Sequence, residues 1–568
     1  MRKTLSYVLG SLFVLCGLGL SPGAATPGET AVHGEPSLPV LHPGERHLLL
    51  LMIDGLPVGP FEEALAAHEL PHLERLFAER PTLRTRALST FPSATSPSVP
   101  ELLSGRWVEL EGLPAPAAVH AFDRERRRIV RYLTEPDTWD WPIPNLFGAA
   151  AQAGLPALSV FEGRWKGAGS ILTTAAIARS AALEVLGAHE LAGDRKPVEA
   201  LLAQIEREGA PRVTLVVFNE VDLKGHFHGP ASREVHHALV ETDVLIGEIL
   251  DALRQEKAPG GRSVLDDTTV LLFGDHGMAP SGRFVDLAAF FRQRGLVAYD
   301  ASTVSHVLLR ERLGSVWTRW PDAILVAGGS NITQIYLRSS GGGWLDGSDA
   351  VPEEIERARR RPDIDDLARQ LAEHPGVSQV LRQVAPGEIE LRAAGEQTAR
   401  VIERGEGRDR RWAYVVPDGA ADDPLGYLGD PDVAPLVSRN GSLSDAGFFD
   451  VETWIERTRN ARYPAAVPLV QRAFHPQRFT GDLMVTARLG WTFLRGQHGD
   501  HGNLEREAMI TPLVLNGAGV DEGTLLPLAR LVDIYPTAAV LLGADPNDPA
   551  LSDLDGRVLP GIRPPARR

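Results

Sequence analysis

The 568-residue sequence contains one cysteine, and that one, Cys16, lies in the apolar run that opens the chain. Removal of a leader near Ala25 would leave no thiol. That excludes a disulfide framework, a thiolate zinc site and a cysteine nucleophile, so any metal must be held by His, Asp and Glu. A surplus of basic residues is also lacking: the formal net charge is -16. Neutralising many phosphates requires a basic face, so a nucleic-acid polymer is not an expected partner. A small anionic ligand stays open, because a bound cation inverts the local field. No period of repeat length is visible, and "MIDGLPVG" after the first apolar run lacks the glycine fingerprint of a dinucleotide site.

What is present begins with Arg2 and Lys3, an apolar run to Leu20, and small residues at Ala24 and Ala25. This reads as a signal peptide over residues 1–25, which implies a periplasmic or secreted protein. The run is broken by Gly and Ser and is short for a span of about 20 residues, so no stable membrane anchor is expected after cleavage. Residues 26–45, rich in Pro and Gly, read as a linker. With 43% hydrophobic and 23% charged residues, the remainder has the composition of a globular protein.

From residue 46 to about 300, continuous apolar runs ("HLLLLMI", "LPALSVF", "RVTLVVF", "TTVLLF") alternate with helical patterns ("FEEALAAHELPHLERLFA", "VEALLAQIERE", "SREVHHALVETDVLIGEILDAL"). Runs without polar alternation suit strands covered on both faces, and the alternation predicts an α/β fold with a mostly parallel sheet between helices. Residues 301–480 change rhythm. Short strand patterns around the helix "DDLARQLAEH" read as an inserted α+β cap, and the core is expected to resume over 481–568 with "DLMVTARLGWTFL", "ITPLVLNG" and the helix "LARLVDIYPTAAVLLG".

Four apolar runs end in polar clusters: Asp54; Asp222 and His226; Asp275 and His276; and His498, Asp500 and His501. An isolated Asp-Gly is usually a turn, and an isolated His-Gly a loop, so His228 more simply lines a site or faces solvent. Agreement among the clusters carries the reading. Carboxylates and imidazoles without thiolate suit Zn or Mn in a hydrolytic site, and six such ligands serve two ions. The segment "STFPSATSPSVPELLSGRW" places Thr95 before an apolar stretch that can start a helix, whose positive end favours an anion.

These residues together resemble the alkaline phosphatase superfamily, and most closely its nucleotide pyrophosphatase/phosphodiesterase and phosphonoacetate hydrolase branch. Phe91, Pro92, Ser93, Thr95, Pro97, Ser104 and Gly105 match the nucleophile segment in register, which selects Thr95 over Thr90. Asp222, His226, Gly229 and Pro230 match a second motif, Asp275 to Met278 a third, and Asp54 with Gly55 the first Asp-Gly. The resemblance implies two divalent ions, Zn or Mn. One would sit on Asp222, His226 and His501, and the other on Asp54, Asp275, His276 and Thr95. Thr95 would form a covalent phosphothreonine while a small phosphate ester, phosphodiester or pyrophosphate, is cleaved.

Two departures qualify this. Ser98 stands where the diesterase branch usually has Asn to hold a phosphoryl oxygen, and His498 remains an alternative to His501 as the last ligand. A phosphomonoesterase or phosphonate hydrolase, or a non-catalytic binding protein on the same scaffold, is the rival expectation. A sulfatase is disfavoured because "SPSVP" lacks the arginine its modified residue requires. Asn331-Ile332-Thr333 and Asn440-Gly441-Ser442 fit a glycosylation pattern.

Overall fold

The computed structural model describes residues 38–107, 120–131, 144–160, 170–172, 193–301, 321–329, 331–338, 344, 364–474 and 479–566. The signal-peptide reading, Cys16 and most of the linker lie outside these residues. Among the described residues, no helix is long and apolar enough to cross a membrane.

Eight strands form the main sheet: β1 (His47–Ile53), β2 (Thr82–Leu88), β3 (Ala157–Val160), β4 (Ser170–Leu172), β5 (Val213–Phe218), β6 (Thr268–Phe273), β7 (Ile510–Gly517) and β8 (Ala529–Arg530). Their order is β8-β2-β7-β6-β1-β5-β3-β4. β1 is parallel to both β5 and β6, and β7 alone runs against its neighbours β2 and β6. The fold is therefore the predicted mostly parallel sheet.

The apolar run of β1 is explained by burial on both sides. Leu48, Leu50 and Met52 pack into one core, and Leu49, Leu51 and Ile53 into the other. Each such side chain contributes about 2 kcal/mol when fully buried. The first core is closed by α3 (Thr95–Ser104), α4 (Leu146–Gln152) and, at the end of the chain, α8 (Ile534–Leu541). The second is closed by α1 (Val58–Ala66), α2 (Pro71–Glu79), α5 (Arg195–Glu208) and α7 (Arg233–Gln255). The helical pattern interrupted by proline resolves into α1 and α2, with Pro71 at the first helical position, where its missing N–H costs nothing. Ser232 caps α7 by accepting from the Val235 N–H.

The second sheet has nine strands, mostly antiparallel, in the order Ala298–Asp300, Ala323–Gly329, Ile332–Leu337, Leu483–Ala487, Val377–Ala385, Glu388–Ala393, Gln397–Arg404, Arg411–Val416 and Val437–Arg439. Leu483–Ala487, read from sequence as a return to the main sheet, sits instead in the middle of this one, between Ile332–Leu337 and Val377–Ala385. A short apolar run specifies a buried strand but not its partner. Leu88, Phe91 and Ile510 of the main body share a core with Leu391, Tyr414 and Trp454, which holds the second sheet against the strand ends. Asn331 is fully buried and Asn440 exposed, so only the second glycosylation tripeptide is accessible.

Candidate metal centre and nucleophile

Three adjacent parallel strands, β6, β1 and β5, end side by side and deliver most of the predicted site. Asp54 follows β1, and Asp275 and His276 follow β6. Asp222 and His226, read as a strand end, lie on the helix α6 (Glu220–His228), which begins after β5. Their spacing of four residues stacks them on one helix face. His501 arrives from the loop before β7, and Thr95 is the first residue of α3. Gly55 permits the close approach of two segments: its φ is +62°, and a Cβ there would lie 2.5 Å from Asp222 Oδ1.

The distances bring the seven residues into one cluster. Thr95 Oγ1 lies 3.3 Å and 3.4 Å from the two carboxylate oxygens of Asp54 and 3.3 Å from His276 Nε2. His276 Nε2 is 3.3 Å from Asp54 and 3.6 Å from Asp275. On the other side, Asp222 is 3.3 Å from His226 Nε2 and 3.7 Å from His501 Nε2, and the two Nε2 atoms are 3.1 Å apart. The His276 and His501 rings stack at 3.9 Å between centroids, joining the two halves.

All three imidazoles are oriented alike. Nδ1 of His226 lies 3.1 Å from the Gly499 carbonyl, Nδ1 of His276 lies 2.9 Å from that of Gly277, and Nδ1 of His501 lies 2.9 Å from that of Ser93. A carbonyl only accepts, so each Nδ1–H donates and each Nε2 faces the cluster, offering a lone pair once the ring is neutral. A carbonyl that fixes one ring nitrogen keeps the other aimed where a cation can take it.

The protonation pattern describes the ion-free cluster. Burial, reinforced by Asp275 and Asp222, pushes the Asp54 carboxyl well above its ordinary range. Burial would also raise Asp222, but His226, His501 and His276 outweigh it and hold that carboxyl below its usual range. Burial disfavours charge on His226 and His276, yet their carboxylate neighbours prevail and raise them to about 9 and about 10. His501 is held well below the ordinary value, first by burial and then by the charge on His276. Protonated imidazoles thus carry the positive charge that this carboxylate cluster demands.

A cation fits this donor set. Asp222 Oδ1 and Asp275 Oδ2 are buried without a hydrogen-bond partner, which is costly unless something positive faces them. In each of three groups, Asp54 with Asp275 and His276, Asp222 with His276 and His501, and His226 with Asp500 and His501, the donor atoms lie within 4.8 Å of one another.

Other residues from the sequence reading fall elsewhere. Ser98 is fully enclosed, with its Oγ 3.2 Å from that of Ser89, which donates to the Asp275 carbonyl. Its hydroxyl therefore braces the floor of the site. Thr90 Oγ1 donates to Glu101 Oε1 at 3.1 Å. His498 is exposed; its N–H donates to the His226 carbonyl, and with His228 it lines a separate groove of about 590 Å³ beside Met278.

Two positioning residues were not assigned roles from sequence. Asp500 is buried, accepts from Thr492 Oγ1 and from the His501 N–H, and lies 4.0 Å from His226 Nδ1. Ser93 Oγ donates to the Asn503 carbonyl and accepts from the Gly502 N–H, clamping the His501 loop to the nucleophile loop. Sequence had placed Ser93 in the matched nucleophile segment and Asp500 in the last polar cluster, without a role for either.

Residues 48–380 match the family model described as type I phosphodiesterase / nucleotide pyrophosphatase. A fission-yeast (Schizosaccharomyces pombe) protein described as an uncharacterized pyrophosphatase/phosphodiesterase is 30% identical over 93 residues, a stretch covering 16% of this chain and 18% of that relative. The fold is similar to that of murine ectonucleotide pyrophosphatase/phosphodiesterase 5, with TM-score 0.50 and 12% identity, covering 88% of this chain and 96% of the other. An inactive threonine-to-alanine variant of that murine protein, in complex with AMP, matches equally, at 12% identity, TM-score 0.50 and the same coverage of 88% and 96%.

Proposed function

Because the chain belongs to the type I phosphodiesterase / nucleotide pyrophosphatase family, we propose that it is a secreted or periplasmic hydrolase of small phosphodiesters or pyrophosphates, with Thr95 as nucleophile. The observation that carries this is the placement of Thr95 Oγ1 against both Asp54 and His276 at the first residue of a helix whose N-terminus has no side-chain cap. AMP bound to the murine relative supports a small nucleotide-like ligand.

Two divalent ions, Zn or Mn, would be held by Asp54, Asp275 and His276 and by Asp222, His226 and His501. When bound, they supply positive charge that favours ionisation of the Thr95 hydroxyl and offsets charge on the phosphoryl group. Asp54 Oδ1, 3.3 Å from Thr95 Oγ1, is placed to accept its hydroxyl hydrogen. Thr95 Oγ1 attacks phosphorus, the bond to the departing oxygen breaks, and a phosphothreonine forms. Water then attacks that phosphorus from the side the leaving group vacated and releases Thr95. We assign the remaining phosphoryl oxygen to the open backbone N–H groups at the start of α3, because Ser98 is engaged with Ser89.

The reading is tested by screening metal-replete protein of measured ion content on aryl monoesters, aryl diesters, pyrophosphates and phosphonates. Diesters or pyrophosphates should be cleaved best. Preference for monoesters or phosphonates would move the assignment to those classes, and no turnover on any would leave a binding protein.

A further inference from the structure

Phe227 is 47% exposed and, among the described residues, is the only aromatic among the large exposed hydrophobic side chains. It follows the ligand candidate His226 directly, as Leu223 follows Asp222. Successive helix positions are rotated by about 100°, so Leu223 and Phe227 form a second stripe beside the one that carries Asp222 and His226. The opposite flank of α6 is buried: Val221 is enclosed, and Gly225 packs so closely on Met278 that a Cβ would lie 2.9 Å from its methyl carbon. The apolar stripe therefore occupies the solvent side of the site.

The site is open to solvent along α6 as well as at Thr95, which is partly exposed. The Asp222 and His226 side chains are 18% and 16% exposed, whereas those of His276 and Asp275 are fully enclosed. Thr95 stands against Asp54 and His276. In an in-line displacement the departing oxygen leaves opposite the attacking one, toward Asp222, His226 and His501, and the group it carries emerges along α6.

We propose that Phe227, flanked by Leu223, is the surface on which the leaving group rests, and that it selects an apolar aromatic leaving group over an anionic one such as pyrophosphate. The proposal rests on Thr95 being the nucleophile. An aryl group buries apolar surface against the phenyl ring, whereas a pyrophosphate gains nothing from that ring. In the step itself, the Thr95 Oγ–phosphorus bond forms and the bond from phosphorus to the departing oxygen breaks. Its electron pair leaves with the aryloxide, which takes a proton from water if basic enough.

The test compares two substrates that share the retained nucleotide, the para-nitrophenyl ester of thymidine monophosphate and thymidine triphosphate. Wild type, Phe227→Ala, Phe227→Leu and Phe227→Lys are assayed at equal, measured metal content. Wild type should favour the aryl diester. The ratio of kcat/KM values, aryl diester over triphosphate, should fall about tenfold in Phe227→Ala, the amount supplied by burying roughly 50 to 60 Å² of apolar surface. It should stay near wild type in Phe227→Leu and fall furthest in Phe227→Lys. An unchanged ratio, or a wild type that prefers the triphosphate, overturns this proposal and leaves the hydrolase reading standing. Metal-loaded wild type that cleaves neither substrate overturns both.

Discussion

The Nε2 atoms of His226 and His501 stand 3.1 Å apart, although 275 positions separate the two residues in the chain. Each ring is held by an Nδ1–H donated to a backbone carbonyl, so neither can turn away without losing that bond. Two imidazolium ions at this distance would repel strongly. The pair therefore has room for one proton, which His226 takes through Asp222, or for a cation that both nitrogens face.

Metal loading should be coupled to proton release. In the ion-free protein His226 and His276 hold their protons up to about 9 and about 10. Below those values each must lose a proton before its Nε2 can serve a cation. The overall constant for binding both ions should therefore rise with pH by up to about two orders of magnitude per unit through neutrality, one from each site, and level off above about 10. Isothermal titration with Zn in buffers of different ionisation enthalpy should show about two protons released at pH 7.5. No proton release would contradict the ligand assignment.

Thr95→Ala should lose at least about four orders of magnitude in kcat with unchanged metal content, because removing a nucleophile removes the covalent route itself. Steady-state rates and elemental analysis on the same preparation decide it. Retained turnover would exclude Thr95 as nucleophile.

His501→Ala and His498→Ala should separate by metal stoichiometry. His501 faces the cluster, whereas His498 is exposed and touches it only through its backbone. The first variant should bind about one ion fewer at limiting concentration, and the second should bind as wild type does. The reverse result would transfer the ligand role to His498.

Gly55→Ala should weaken metal binding although it replaces no ligand. The new methyl would meet Asp222 Oδ1 at 2.5 Å in a backbone with φ +62°. Strain of this kind costs about 1 to 3 kcal/mol. A lower Tm and at least about a tenfold loss of Zn affinity are expected. A variant with wild-type Tm and affinity would show that the close approach of Gly55 to Asp222 is not needed.

Much of the fold was legible because β1, β5 and β6 are covered on both faces, which leaves continuous apolar runs in the sequence. The strand Leu483–Ala487 was assigned to the wrong sheet, since apolar residues declare burial and not pairing. Asp222 and His226 were read as a strand end because α6 is short and lacks a clear apolar face. Their four-residue spacing was the available clue.

The sequence by itself determined the chemistry on offer: carboxylates and imidazoles gathered after apolar runs, one hydroxyl before a helix start, and a single cysteine, Cys16, confined to the opening apolar run. Only the tertiary structure decided the grouping. It turned Ser98 inward to Ser89, drew His501 and not His498 into the cluster, and aimed three Nε2 atoms by anchoring three Nδ1 atoms to carbonyls. The physical reason is that a residue's type fixes which atoms can donate or accept, while which of them meet depends on strand order and loop paths set by packing far from the site.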